Sequence, residues 1–228
     1  MCNQLLEIDV PRLEIRFPTA GQRMRKVVKR SNARNSGKYP SWKMRRMMQW
    51  ESPHEGNAMC ILDASPAVLS YGEQPCEINY TLNGEKHRHY PDFLVTTTGY
   101  KEFWEVKTAK DANQPEVAER TAYLTDVLPI YGYSYQIVLA ETLASQPRLS
   151  NVKRLNKLGR QALTDSQRET FRLLFNEQPV MHWGLFEAQS PAVLRQISRL
   201  ILEGKLKIDL NQLINAATQV RSNFNTQY

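Results

Sequence analysis

The stretch HYPDFLVTTTGYKEFWEVK, residues 89–107, contains two apolar runs that a polar, glycine-containing segment separates. Such runs predict two adjacent strands joined by a turn. Because side chains alternate along a strand, Glu105 and Lys107 would point to one side of the second strand. Trp104 and Val106 would then point to the other side and pack under a helix.

Pairing of these two strands would bring Asp92, at the start of the first strand, close to Glu105 on the second. Two neighbouring carboxylates repel each other unless a cation neutralises them. Oxygen ligands from Asp and Glu, with water and substrate phosphate, suit Mg²⁺, and Mn²⁺ can substitute. Lys107 could orient or deprotonate an attacking water, or stabilise charge on a phosphate. A lone Glu-x-Lys is usually a surface ion pair, but the joint pattern favours a metal site.

The stretch SPHEGNAMCILD, residues 52–63, carries the signals of a helix start. Ser52 suits the N-cap, Pro53 suits the first helical position, and Glu55 stands where a capping-box acid belongs. Capping explains Glu55 without catalysis, yet the same carboxylate is available as a third metal ligand. Glu119, on a helix predicted to follow the second strand, is a further candidate.

Residues 52–140 as a whole predict a mixed sheet flanked by helices. Proline and glycine punctuation predicts irregular structure over residues 1–50, and residues 52–140 predict a helix, three strands, a helix and a strand. Asn83-Gly84 predicts a hairpin turn. His87 and His89, just before Asp92, are expected to be exposed or to contact phosphate, because zinc would need a matching Cys or His pair.

From about residue 150 the sequence becomes helical, so we divide the chain into domains 1–148 and 149–228. Ser190-Pro191 predicts the start of one helix, Gly204 its end, and KLKIDL, residues 205–210, a short strand or wing. The pattern by itself favours a helical cap on the core. A helix-turn-helix or winged-helix module that binds DNA or a protein partner is the alternative.

The positive charge of the chain is concentrated in one segment. The 228 residues carry a net charge of +7, yet residues 15–50 hold eleven Lys and Arg and no acid, which leaves 19 basic against 23 acidic residues elsewhere. Such a segment attracts polyanions, above all nucleic acid, although a solvated leader without a partner would look the same. The expected DNA-binding side chains are Arg23, Arg25, Lys26, Lys29, Arg30, Lys43, Arg45 and Arg46.

Composition also bears on the compartment. No apolar run approaches the roughly 20 residues of a membrane helix, and the first residues lack the apolar stretch of a signal peptide. Cys2, Cys60 and Cys76 lie far apart and form neither a disulfide framework nor a CxxC motif. We therefore expect a cytoplasmic protein, in a reducing compartment, without a membrane partner.

Pro91-Asp92 followed by Glu105-Val106-Lys107 resembles the PD-(D/E)xK signature of restriction-endonuclease-like nucleases. More narrowly, the chain resembles TnsA, the endonuclease subunit of heteromeric Tn-seven-like transposases. The matching stretches are GKYPSWKMRRMMQWESPHE, YGEQP, RHYPDFLV and WEVK, which cover about a third of the chain. The region around residues 194–210 is weakly similar to the winged-helix-like part of that family.

The resemblance implies an α/β fold, with a restriction-endonuclease-like core of four or five strands and a small helical, winged-helix-like C-terminal domain. It implies Mg²⁺-dependent phosphodiester hydrolysis by Glu55, Asp92, Glu105 and Lys107, with Glu55, Asp92 and Glu105 on the metal; the family also allows Gln at the position of Glu105. The implied role is to cut the 5′, non-transferred strands at transposon ends, beside a TnsB-type DDE transposase and a TnsC-type AAA+ ATPase. Two alternatives stay open: a stand-alone restriction-like or junction-resolving nuclease, and an inactive DNA- or protein-binding scaffold.

Overall fold

The computed structural model describes residues 13–18 and 36–224. In these residues the strands are β1 Leu13–Arg16, β2 Gly37–Ser41, β3 Arg46–Trp50, β4 Val68–Glu73, β5 Glu77–Leu82, β6 Glu85–His89, β7 Phe93–Thr97, β8 Lys101–Lys107, β9 Ser134–Leu139, β10 Val180–His182, β11 Leu206–Lys207 and β12 Gln219–Ser222. The helices are α1 Pro53–Ala64, α2 Ala109–Ala112, α3 Pro115–Val127, α4 Ala140–Leu143, α5 Arg148–Leu158, α6 Asp165–Glu177, α7 Trp183–Gln189 and α8 Pro191–Leu202, with a 3₁₀ turn at Leu128–Tyr131.

A four-stranded mixed sheet in the order β4-β7-β8-β9 forms the centre of the molecule. β7 pairs antiparallel with β4 and β8, whereas β8 and β9 are parallel. A parallel pair needs a crossover between its strands, and α2 and α3 supply it. The predicted mixed sheet with flanking helices is therefore confirmed. The predicted pairing of the two strands within residues 89–107, β7 and β8, is confirmed as well.

Two expectations about the first half of the chain are wrong. Residues 1–50 are not irregular throughout their described part, because β1 is a strand and β2 and β3 form a hairpin. Five strands, rather than three, separate α1 from α3. β5 and β6 do form the hairpin predicted at Asn83-Gly84, where both residues have positive φ. They belong to a separate sheet, in which β5 also pairs with β1.

Helix α1 begins as its sequence predicts. Ser52 is the N-cap and its side chain accepts a hydrogen bond from the Glu55 backbone N–H, with Pro53 in the first turn. The seven residues 58–64 are all buried, because the sheet side and α5 both cover the helix. A helix that is buried all round stays in place through packing, so α1 is a fixed support for the residues at its N-terminus.

The buried carboxylate of Asp63 joins α1 to the β2–β3 hairpin. It accepts hydrogen bonds from Tyr39 Oη at 2.9 Å, Ser41 Oγ at 2.6 Å and Tyr71 Oη at 2.8 Å. It also accepts one from the backbone N–H of Trp42 at 3.2 Å. A buried charge needs such partners, so Asp63 has a structural explanation and we assign it no chemistry.

Two hydrophobic clusters flank the central sheet. The larger one runs from α1, β4 and β7 into α5–α8, and Trp104 and Val106 belong to it, as the alternation along β8 predicts. The smaller cluster packs Phe103 and Tyr135 against α3 and the β1-β5-β6 sheet. Because the larger cluster is continuous past residue 148, the division into domains 1–148 and 149–228 stays a prediction.

The C-terminal part alternates helices and strands in the order α6-β10-α7-α8-β11-β12, with a small sheet ordered β10-β12-β11. Ser190 caps α8 as predicted, accepting a hydrogen bond from the Val193 N–H, and Gly204 ends it with φ of 73°. Lys205 N–H bonds back to the Leu200 carbonyl, a Schellman ending that favours glycine at position 204. In the described part of the chain, no helix is both long and apolar enough to cross a membrane.

Candidate active site

Asp92 and Glu105 meet at one end of the central sheet. Phe93 is opposite Trp104 in the β7–β8 pair, so Asp92 lies just beyond the start of β7. Its Oδ2 accepts a hydrogen bond of 2.7 Å from the backbone N–H of Val106. The strand pairing therefore positions the two carboxylates, and the backbone of β8 fixes the orientation of Asp92.

The environment of Asp92 disfavours its negative charge. Burial raises the pKa of this carboxyl well above its usual range, and the charges of Glu105 and Glu55 raise it further. The hydrogen bond from Val106 and the charge of Lys107 oppose these effects only in part. A cation bound here would offset the repulsion, which is the electrostatic condition of a metal site.

Glu55 lies near enough for its charge to act on Asp92 and Glu105, but its oxygens serve the helix start. Oε2 accepts from the Glu51 N–H at 2.8 Å, and Oε1 accepts from Ser52 Oγ at 3.0 Å. Burial raises the pKa of Glu55, against these hydrogen bonds. Glu55 thus supports the helix start, but through the Glu51 N–H and the Ser52 hydroxyl and not through the capping-box bond to the Ser52 N–H, and its charge also acts on the other carboxylates.

Glu105 is 4% exposed and is surrounded by basic side chains. Its Oε1 lies 2.6 Å from Lys107 Nζ and 3.6 Å from an Arg120 guanidinium nitrogen. Its Oε2 lies 3.4 Å from His89 Nε2 but has no hydrogen-bond donor. A buried carboxylate oxygen without a donor is suited to accept a cation or a metal-bound water.

His89 corrects an expectation, because it is buried, not exposed. Burial lowers the pKa of His89 to about 4, and the positive charges of Arg120 and Lys107 act in the same direction, against Glu105. The neutral ring has Nε2 3.1 Å from Tyr135 Oη. If Tyr135 donates this bond, Nε2 is the acceptor and has no N–H to donate to Glu105 Oε2.

Lys107 is a cation in this environment. Burial opposes its charge, but attraction to Glu105, the hydrogen bond between them and the charge of Asp92 outweigh burial and raise the pKa of Lys107. Its side chain keeps 28% of its surface exposed, so it is accessible from solvent. An accessible ammonium beside two carboxylates can contact a substrate phosphate.

Sequence reasoning chose the wrong residue on α3. Glu119 is the acceptor of a hydrogen bond of 2.5 Å from Asn83 in the exposed β5–β6 turn. Arg120, one position on, is the α3 residue that reaches Glu105. Consecutive helical residues point about 100° apart, so only the packing of α3 on the sheet decides which one faces the site.

The residues present fit a hydrated divalent ion better than a metal enclosed by protein. In residues 13–18 and 36–224, no three His, Cys, Asp or Glu side chains are grouped so that together they could hold a metal ion. Mg²⁺ commonly keeps several waters and takes one or two carboxylates plus substrate phosphate. Asp92 and Glu105 provide these two carboxylates. Glu105 Oε2, which accepts no hydrogen bond, is the oxygen that is free to bind the ion.

Residues 65–139 match the family model described as TnsA-like endonuclease N terminal. This part of the chain is similar to a TnsA-like endonuclease N-terminal domain. A comparison with curated protein sequences gave no significant match. The match supports a TnsA-type endonuclease, the family that the PD-(D/E)xK pattern resembles.

The TnsA-like domain contains Asp92, Glu105 and Lys107, and also His89 and Arg120, in the strands and helix described above. Glu55 and the β2–β3 hairpin precede the matched range. The assignment of Glu55 to the site rests on the packing of α1 against the sheet and on its charge acting on Asp92.

The predicted DNA-binding residues fall into two groups. Arg23, Arg25, Lys26, Lys29 and Arg30 lie outside the described residues. Lys43, Arg45 and Arg46 lie at or next to the turn of the β2–β3 hairpin, which precedes the TnsA-like domain.

The three cations of the hairpin differ in their contacts. The Lys43 ammonium donates to the carbonyls of Ser65 and Val68, and burial lowers the pKa of Lys43 to about 8. Arg46 forms a two-pronged ion pair with the buried carboxylate of Glu73. Arg45 is exposed in the turn with φ of 52°. Of the three, Arg45 is the one best placed to meet a DNA phosphate.

Proposed function

We propose that the protein is a metal-dependent DNA endonuclease that cuts the 5′, non-transferred strands at transposon ends during cut-and-paste transposition. The observation that carries the proposal is the convergence of Asp92, Glu105 and Lys107 at one sheet end within a TnsA-like domain. Glu55 on α1 adds a third carboxylate whose charge acts on the other two.

Asp92 and Glu105 would hold the divalent ion, Mg²⁺ or Mn²⁺, with Glu55 beside them. Such an ion polarises a phosphoryl oxygen and lowers the pKa of a bound water. The Val106 N–H keeps Asp92 Oδ2 in place, and Arg120 and Lys107 keep Glu105 Oε1 in place. These contacts hold the donor oxygens before the substrate arrives, which is the preorganisation that catalysis by charge requires.

Lys107 would act through its charge. Because its pKa is raised, the ammonium form dominates at neutral pH, which favours phosphate stabilisation over proton abstraction from water. The DNA backbone would contact the basic segment 15–50. In the part of this segment that the structure describes, Arg45 is the proposed contact residue. Phosphate contacts of this kind position the DNA but do not read its sequence.

The family also implies the partners, a TnsB-type DDE transposase that cuts and joins the 3′ strands and a TnsC-type ATPase that couples them to target DNA. We place the protein in the bacterial cytoplasm, acting at the nucleoid. A stand-alone restriction-like or junction-resolving nuclease is the second candidate, since the same site would serve it. An inactive scaffold is the third, and the intact Asp92, Glu105 and Lys107 argue against it.

The test measures 5′-strand cleavage of a labelled transposon-end duplex in Mg²⁺, with and without the partner transposase, for the wild type, Asp92→Ala and Lys107→Ala. Asp92→Ala should abolish cleavage, and Lys107→Ala should lower it by about 10²-fold or more. Lys101→Ala is the matched control, because Lys101 is exposed at the far end of the same strand. In a full transposition assay, the Lys107 variant should give products still joined to donor DNA.

The same assay separates the alternatives. Wild-type cleavage without the transposase would favour the stand-alone nuclease. No cleavage by the wild type under any condition would favour the scaffold. Simple insertions at normal yield from Lys107→Ala would exclude a catalytic role for that residue.

We also propose that the C-terminal part is winged-helix-like and binds DNA or a protein partner. The order of its elements, one helix, one strand, two helices and two strands, supports this. Helix α8 packs against α5, and the Arg199 guanidinium lies 4.1 Å from the centre of the Trp42 ring, so one face of the helix is already occupied. The small sheet offers a more accessible surface for a partner, because Lys207 on the edge strand β11 and Arg221 on the central strand β12 are both exposed.

A further inference from the structure

The segment YGEQP, residues 71–75, ends β4 and begins the connection to β5, and its glutamine has no role in the site described so far. Gln74 is 8% exposed and has φ of 44°, in the left-handed region. A non-glycine residue with that backbone is strained unless its surroundings hold it, and such residues cluster at functional sites. Its backbone N–H donates to the Asp92 carbonyl at 2.8 Å, so Gln74 is bonded directly to a proposed metal-binding residue.

The side-chain amide of Gln74 has a defined orientation. Its Nε2 donates to the Glu51 carboxylate, which can only accept hydrogen bonds when ionised. The carboxylate therefore decides which end of the amide faces it, and Gln74 Oε1 faces the other way. Glu51 also lies near enough to Glu55 for its charge to raise the pKa of Glu55, so this pair borders the carboxylates of the site.

Gln74 Oε1 is buried and has no hydrogen-bond donor. A buried carbonyl oxygen without a donor destabilises a protein, because it has lost its hydrogen bonds to water and gained none in return. A hydrated divalent ion offers one, because Mg²⁺ keeps several of its waters when it binds protein carboxylates. Water polarised by the ion is a strong donor to a neutral oxygen.

We propose that Gln74 is a positioning residue for the metal, whose Oε1 accepts a hydrogen bond from a water in the hydration shell of the ion. Glu51 holds the amide in the orientation that this requires, and the strained backbone at Gln74 brings it to the Asp92 end of the sheet. The proposal rests on the proposed metal-dependent function, because it assigns a residue to the same ion.

The experiment measures Mn²⁺ affinity by calorimetry, without DNA, for the full chain and its variants. Gln74→Leu should weaken Mn²⁺ binding by about 10- to 100-fold, the usual effect of removing a group that supports a metal ligand. Gln74→Asn keeps an amide but withdraws it by one methylene, and asparagine tolerates positive φ. It should weaken binding in the same direction and guards against a Leu variant that does not fold.

Gln136→Leu is the matched control. Gln136 Nε2 also donates to a glutamate, Glu102, at 2.7 Å. Gln136 lies on β9, at the opposite edge of the central sheet from β4, the strand that Gln74 follows. Loss of a Gln–Glu hydrogen bond as such should leave Mn²⁺ affinity unchanged there. Gln74→Glu gives a further contrast. The added carboxylate would lie beside Glu51, so it should destabilise the metal-free protein, but it still offers an oxygen to the metal-bound water, so Mn²⁺ affinity should not fall.

The outcomes separate this inference from the proposed function. If the wild type does not bind Mn²⁺, or if Asp92→Ala binds it as tightly as the wild type, the metal site itself is wrong and this inference fails with it. If Asp92→Ala loses binding while the folded Gln74→Leu or Gln74→Asn protein binds Mn²⁺ within twofold of the wild type, only the role of Gln74 is refuted.

Discussion

Histidine 89 provides a quantitative test of the geometry around Glu105. The ring is buried among Glu105, Arg120, Lys107 and Tyr135, and the pKa of His89 is lowered from its usual 6.5 to about 4. Above pH 6.5 the histidine is neutral in both the folded and the unfolded chain. As the pH falls below 6.5, the unfolded chain binds a proton that the folded chain refuses until about pH 4, so stability is lost over that range.

The magnitude follows from the two pKa values. Proton linkage with 6.5 unfolded and about 4 folded removes about 2 kcal/mol of unfolding free energy by pH 5 and about 3 kcal/mol by pH 4. His89→Gln replaces the ring by a neutral amide that can still accept from Tyr135. Other groups that titrate in this range are present in both proteins, so the difference between them isolates His89.

The assay is urea unfolding at pH 7, 6, 5 and 4 in the presence of a chelator, for wild type and His89→Gln. The stability difference should shift by about 3 kcal/mol in favour of the variant between pH 7 and pH 4. Parallel loss of stability by the two proteins over this range would falsify the burial of a neutral His89. A titration of the His89 ring by NMR with a midpoint near 6.5 would refute it independently.

Four further predictions concern the hairpin and the basic segment. A Cβ at Gly37 would lie 2.1 Å from Trp50 Cζ2, so Gly37→Ala should lower the free energy of unfolding in urea by about 1–3 kcal/mol. A Cβ at Gly99 would meet no atom within 4 Å, so Gly99→Ala should have no such effect, and equal effects would contradict the packing of Trp50. Arg45→Gln should weaken DNA binding and reduce the slope of log K against log salt by about 0.9. Lys43→Met should leave DNA affinity unchanged and instead lower the free energy of unfolding by about 1–3 kcal/mol, because two carbonyls lose their donor. A larger loss of DNA affinity from Lys43→Met than from Arg45→Gln would show that Lys43, and not Arg45, contacts DNA. Neutralising Arg23, Arg25, Lys26, Lys29 and Arg30 together should weaken binding to all DNA sequences and flatten the salt slope, with the transposase present or absent, while Mn²⁺ binding stays normal; an unchanged slope would point to a protein-docking segment.

Features that depend on neighbouring residues in the chain could be predicted from the sequence. Ser52 and Pro53 start α1, and Asn83-Gly84 forms the turn of a hairpin, because caps and tight turns are decided by a few adjacent residues. Alternation along β8 separated Glu105 from Trp104 and Val106 for the same reason. With a short loop between β7 and β8, the meeting of Asp92 and Glu105 followed.

Contacts between distant parts of the chain were decided by the tertiary structure. β1 pairs with β5, which lies more than sixty residues later, and the sequence of β1 alone does not indicate which strand it pairs with. His89 lies in a strand whose polar pattern suggests exposure, yet Tyr135 and Arg120 cover it from other elements. Gln74 became a candidate only through its burial and its bond to Asp92.

The division between the two kinds of information has a physical reason. Hydrogen bonds of caps and turns, and the periodicity of strands, act within a few residues, so the chain determines them before it folds. Burial, pKa shifts and the choice between Glu119 and Arg120 depend on which surfaces pack together, and packing is a property of the whole fold. The sequence by itself therefore determined which residue types could form the proposed metal site, and only the tertiary structure decided which neighbours surround them.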